Sequence, residues 1–196
     1  MKLFMKVLIS TFILMVTLTL VPFESTCSEL CEDVFRLHIL ANSDSSFDQQ
    51  LKLSVRDEVI EKISPLYDEV ENKEDAIAIT KNNLSYIEEI AENVLTQDGA
   101  SYDVRARVTN KFFDTRYYDD FTMPAGEYDT LEISIGEAKG RNWWCVMYPS
   151  LCVGASSKMS MSEDLSEDEF EVITSDDIEY KFKIVEYFEK IRSVFN

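Results

Sequence analysis

The stretch RLHILANSDSSFDQQLKLSVRD, residues 36–57, decides how this chain is read. It begins in an apolar run, passes through a polar cluster and ends in a helical pattern. In DVFRLHILA, residues 33–41, Val34, Arg36, His38 and Leu40 fall on one face of a strand, and Phe35, Leu37, Ile39 and Ala41 on the other. The second face is wholly apolar and is expected to meet the core, leaving Arg36 and His38 on the less buried side. Ser45, with Asp48 three residues on, has the spacing of a helix N-cap, and Asp44 and Asp48 suit the positive end of the helix dipole. Phe47, Leu51, Val55, Val59 and Ile63 then recur at helical spacing until Pro65 stops the run. A cap explains Ser45 and Asp48. It leaves His38, Asn42 and Gln49 unexplained. A hydrogen bond from His38 to Asn42, Asp44 or the nearby backbone is the plain reading of that histidine.

Outward from this stretch, Asn72 with Asp75 starts a second helix, striped by Ile77, Leu84, Ile87, Ala91 and Val94 and stopped at Gly99. The period then changes. SYDVRARVTN (101–110) and YDTLEISIGEA (128–138) alternate as half-buried antiparallel strands, with Leu131, Ile133 and Ile135 inward. NWWCVMYP (142–149) reads as a third such strand. Neighbouring strand residues face opposite ways, so one of Trp143 and Trp144 is expected in the core and the other on the opposite face; core positions for both are the alternative. Between the first two of these strands lies a long aromatic-rich loop holding Tyr117, Tyr118 and Phe121, of the kind that carries function more often than packing. Residues 160–177 hold eight acidic residues and no basic one, and read as a solvated loop. A final helix is striped by Ile184, Phe188, Ile191 and Phe195, widened by Val185 and Val194. The order predicts an α+β domain: a mainly antiparallel sheet with a helical hairpin and a C-terminal helix packed on it.

The formal charge of −18 disfavours nucleic acid and anionic lipid as partners of the folded part. At the start of the chain, Lys2 and Lys6 precede a fifteen-residue uncharged run, Val7–Val21. That is the upper length for a signal peptide and short for a membrane span. Residues 1–27 are therefore read as a signal peptide or an N-terminal membrane anchor, and residues 28–196 as a single extracytoplasmic domain, with the membrane touched only through the N-terminal segment. Export makes disulfides possible. Cys145 and Cys152 flank CVMYPSLC, where the Pro149-Ser150 turn can bring the sulfurs together; a disulfide is favoured over two buried thiols. Whether Cys27 and Cys31 pair stays open.

No spacing for a zinc or calcium site, no nucleophile elbow and no glycine-rich phosphate loop occurs, and one histidine makes weak evidence for a catalytic set. The chain is read as a protein without catalytic residues, cofactor or metal. The contact surface expected from the residues is the polar corner His38, Asn42, Ser43, Asp44 and Gln49, with Tyr117, Tyr118, Phe121, Trp143 and Trp144.

Three blocks carry a resemblance: RLHILANSDSSFDQQLKLSVRD, DFTMPAGEYDTLEISIGEAKGRNWWCVMYPSLC and the C-terminal KFKIVEYF. In this order they resemble the stage II sporulation protein R family of endospore-forming bacteria over most of the chain after the leader. Ser150 stands where many members have a second proline. The resemblance implies a secreted signalling protein. By that resemblance it is expected to be made in the forespore and exported to the septal space between forespore and mother-cell membranes, and there to activate a membrane-embedded aspartic protease that processes the precursor of sigma factor E. An exported septal cell-wall hydrolase, with His38 and a carboxylate as the reacting pair, is the alternative.

Overall fold

The computed structural model describes residues 2–68, 70–118, 121–149, 165–175 and 181–187. These divide into two compact units, one from Met1–Glu32, Phe112–Glu127 and Ser166–Asn196, the other from Asp33–Lys111 and Tyr128–Leu165. The architecture is mixed α and β, with helices on a mostly antiparallel sheet.

The second unit contains the stretch that opened the reading. Strand β1 (Phe35–Leu40) leads into helix α2 (Ser46–Ile63), which starts where the cap predicts: the Ser45 hydroxyl accepts from the Asp48 N–H at 3.1 Å. A 3-10 turn (Ser64–Tyr67) carries Pro65 in its first turn. The single helix expected next is two, α3 (Lys73–Asn82) and α4 (Leu84–Gln97). Asn83 interrupts them with φ −114° and ψ 13°, its side-chain amide donating to the Ile79 carbonyl at 2.8 Å. Such local bonds give the backbone an alternative to the helix, and two asparagines in a row invite the break. Gly99 ends α4 at φ +79°, the left-handed position that favours glycine.

Strands β2 (Val104–Phe113), β5 (Gly126–Ile135) and β6 (Asn142–Tyr148) complete a four-stranded sheet in the order β2-β5-β1-β6. β1 is bonded on both edges, parallel to β5 and antiparallel to β6. Phe35, Leu37 and Ile39 meet Leu131, Ile133 and Ile135 on the helix side, all essentially without exposure, beneath Leu51, Val55, Val59, Ile87, Ala91 and Leu95. Burial of side chains of this size stabilises by about 1.5–3 kcal/mol each before entropy is counted. Phe47, assigned to that stripe by its spacing, is 50% exposed. It sits in the first turn of α2.

In the first unit, helix α1 runs from Lys2 to Asp33 with Pro22 inside it. Among the described residues no helix is long and apolar enough to cross a membrane. Phe23 and Cys27 of α1 form a small core with Phe182 and Val185 of the helical residues 181–187, the two phenylalanine rings edge to face at 5.2 Å. Ile184 is 42% exposed, so Phe182 and Val185 carry the buried side here. Phe188, Ile191, Val194 and Phe195 lie outside the described residues. The aromatic segment after β2 forms a short hairpin, β3 (Arg116–Tyr117) with β4 (Thr122–Met123). Of the acidic segment read as a loop, Glu167–Thr174 is helix α5. Ser166 and Glu169 make a reciprocal capping box, which anchors the start of this short helix.

Candidate functional site

The two-residue period of β1 sends Arg36 and His38 to the sheet face opposite the helices. That face is not the less buried one: Arg36 is 0% and His38 2% exposed. Register explains the company His38 keeps, because it lies beside Glu132 of β5 on one side and Trp144 of β6 on the other. Glu132 is itself buried and gathers the cluster. Arg107 reaches its Oε1 through Nε at 2.9 Å and Nη2 at 2.6 Å, while Lys111 donates to Oε2. His38 Nδ1 lies 3.4 Å from Glu132 Oε2 and 3.3 Å from Lys111 Nζ. It therefore faces a donor and an acceptor at once. The imidazole stacks on Trp144, with centroids 5.6 Å apart and planes 4° from parallel. The expected partners Asn42 and Asp44 are bonded elsewhere.

Burial first, then Lys111, push the His38 pKa down to about 4 against the pull of Glu132. The ring is neutral at pH 7. Burial alone would raise the Glu132 pKa, but hydrogen bonds from Lys111 and Arg107 win and hold it below its ordinary value. The result is a fixed carboxylate between two cations, backed by a neutral, stacked histidine. On the same face Arg36 lies over the Tyr128 ring, 4.8 Å from its centroid.

The polar corner is a clasp. Asp48 Oδ2 accepts from Asn42 Nδ2 at 2.9 Å and Ser43 Oγ at 2.5 Å. The Ser43 bond, with further bonds from Asn42, Tyr102 and Ser45, keeps the Asp48 pKa low against the opposing effect of burial. Asn42 Oδ1 accepts from the Glu137 N–H at 3.0 Å, and Asp44 Oδ1 from the Arg141 N–H at 2.7 Å. Gln49 donates to the Ser43 carbonyl at 2.9 Å and accepts from Lys52 Nζ at 2.8 Å, while that ammonium also reaches the Arg141 carbonyl at 2.9 Å. Backbone bonds Gly140 to Ala41 (2.9 Å) and Lys139 to Asn42 (3.2 Å) close the clasp. The β1–α2 loop and the β5–β6 turn are thus one unit, and only Asp44 of the five corner residues is well exposed.

Trp143 faces the helices, with the Arg56 guanidinium 4.3 Å from its ring centroid, and Trp144 faces the other way. In the other unit, Tyr118 and Phe121 stack at 4.5 Å across the β3–β4 hairpin, and Tyr117 is 49% exposed with Lys183 Nζ 5.7 Å from its ring. The Cys145–Cys152 disulfide falls on Cys152, outside the described residues; Cys27 and Cys31 are buried and not joined in a disulfide. Among the described residues no group of three metal-ligating side chains occurs. The spacing of the sequence gives no signal for Glu132, Arg107 or Lys111, since only strand pairing brings them to His38.

The family model for stage II sporulation protein R matches residues 31–158. This chain belongs to that family. The matched region starts just before β1 and takes in both the Glu132 cluster and the clasp. A stage II sporulation protein R of Bacillus subtilis (strain 168) is 37% identical over 121 residues, covering 62% of this chain and 54% of that relative. The match thus spans about half the length of the relative. No solved structure matches. Family membership assigns the protein a role in sporulation.

Proposed function

We propose that this protein is an exported signal of endospore formation. It passes from the forespore into the septal space and activates a mother-cell membrane aspartic protease that processes pro-sigma-E. The family match over residues 31–158 carries this reading. An activator of this kind needs only to bind the active state of its target better than the inactive one. A rigid surface suffices, and the clasp and the Glu132 cluster supply rigidity. The contact groups are Asp44 and Trp144 in one unit, and Tyr117, Tyr118 and Phe121 in the other. His38, buried beneath Trp144, acts by fixing that ring. A Cys145–Cys152 disulfide in the oxidising septal space would pin the end of β6, and the N-terminal segment serves as signal peptide or anchor.

The septal wall hydrolase gains no support from the geometry. Its acid would need a raised pKa in a cleft, whereas Glu132 is held ionised and His38 is shut away from a polymeric substrate. The deciding experiment titrates the purified full chain against the protease in nanodiscs while following precursor cleavage. Saturable binding with cleavage switched on supports the proposal. A folded sample that neither binds nor switches cleavage refutes direct activation.

A further inference from the structure

β2 is the end strand of the sheet order, and its outer edge carries an unusual cap. The Ala106 N–H donates to the Glu88 carboxylate of α4 at 2.8 Å. In a strand, N–H and C=O of alternate residues point the same way. Ala106 and Val108 therefore present their backbone groups to this outer edge. Exposed edges of this kind are templates for pairing with another chain, and proteins commonly blunt them with charge. Here one carboxylate covers one N–H, and a cleft of about 520 Å³ runs beside it, lined by Glu88, Asp103, Arg105, Arg107 and Ser134 among others.

Charge selects the occupant. Arg105 and Arg107 are two apart, so both project from the same face of the edge strand, and both are exposed. Arg105 makes no ion pair among the described residues. A strand laid against β2 would place its own side chains opposite these guanidiniums, where unlike charges stabilise and like charges destabilise. A second copy of this chain would set arginine against arginine. A segment with acidic residues at alternate positions would meet Arg105 and share Arg107 with Glu132.

We propose that the β2 edge at Ala106–Val108 is a docking edge for an extended acidic segment of a partner protein, which pairs with the strand and displaces Glu88. This inference goes beyond the activation of a protease and holds whatever the target's identity.

The test follows the backbone amide signals of the full chain by nuclear magnetic resonance during titration with a blocked octapeptide of alternating Glu and Thr. The control peptide alternates Lys and Thr. Saturable shifts at Ala106 and Val108 with the acidic peptide only, weakening with added salt, are expected. The variant R105E should bind at least tenfold more weakly. Glu88→Ala should bind about tenfold more tightly, because no charge-assisted bond has to be broken first. An unchanged Trp144 indole signal checks that each variant is folded. The proposal is overturned if no β2 amide responds, if the two peptides are indistinguishable, or if the wild type pairs through this edge with itself. It is equally overturned if anionic phospholipid vesicles shift these amides and the acidic peptide does not.

Discussion

Gly140 is the tightest point of the clasp, and replacing it with alanine tests the whole construction. A Cβ at Gly140 would lie 2.1 Å from the Ser43 carbonyl oxygen and 3.0 Å from the Ala41 Cβ. Both obstacles are fixed by backbone, so the turn must retreat by about an ångström. Overpacking of this kind costs about 1–3 kcal/mol. The retreat also stretches the backbone bonds from Gly140 to Ala41 and from Lys139 to Asn42, at about 1 kcal/mol each. A gain of about 0.4–1 kcal/mol from stiffening the unfolded chain offsets part of this. The expected net loss is about 3 kcal/mol. Gly99→Ala is the control, since its Cβ would meet nothing within 4 Å and the penalty comes from φ +79° alone, about 1–2 kcal/mol. Urea unfolding followed by tryptophan fluorescence reads the difference, because Trp143 and Trp144 lie directly after the turn in β6. If Gly140→Ala loses no more stability than Gly99→Ala, or if hydrogen exchange at Lys139 and Gly140 is unchanged, the clasp is not a tight structural unit.

The His38 pKa, lowered from 6.5 to about 4 on folding, makes stability depend on pH. Between these values the unfolded chain binds the proton and the folded one does not. The contribution is thus complete above about pH 6.5 and is lost as the pH falls towards 4, by about 3 kcal/mol in all. Glu132, depressed below 4.5, adds a loss of the same sign in more acid solution. His38→Gln should flatten the slope between pH 4 and 6.5 in urea titrations, and an equal slope in both proteins would contradict the burial argument. Glu132→Gln should destabilise by about 1.5–3 kcal/mol, because the charge-assisted bonds from Arg107 and Lys111 are lost. Arg107→Ala should cost under about 1 kcal/mol, since its side chain is 68% exposed; equal losses would refute this asymmetry. Phe182→Ala should cost about 3 kcal/mol and speed hydrogen exchange around Phe23 and Cys27, its core neighbours. Unchanged exchange there would dissolve that core.

The cap at Ser45 and the strand faces were legible because both depend on neighbours within four residues. Their deeper roles were not, because those depend on pairing across the chain. The parallel alignment of β1 with β5 is the decisive case. A reading that follows the chain expects each strand to turn back on the one before it. It has no means of placing residue 35 beside residue 129, with three helices, β2 and the β3–β4 hairpin in between. Once that register is set, Glu132 falls beside His38, and a histidine expected on the open face is buried with its charge partners. The same crossover explains the corner. Asn42, Ser43 and Asp44 have the composition of a helix entry, and the entry exists, yet Asn42 and Asp44 also bond a turn more than ninety residues away. The one local hint was GEAKGRN. Its two glycines suit an ordinary turn, but Gly136 sits at φ +56° with its missing Cβ taken up by Asn42 Oδ1, and Gly140 leaves room for the Ser43 carbonyl. Glycines required by a distant loop look the same in sequence as glycines required by a bend. Only the contact at the vacant Cβ tells them apart.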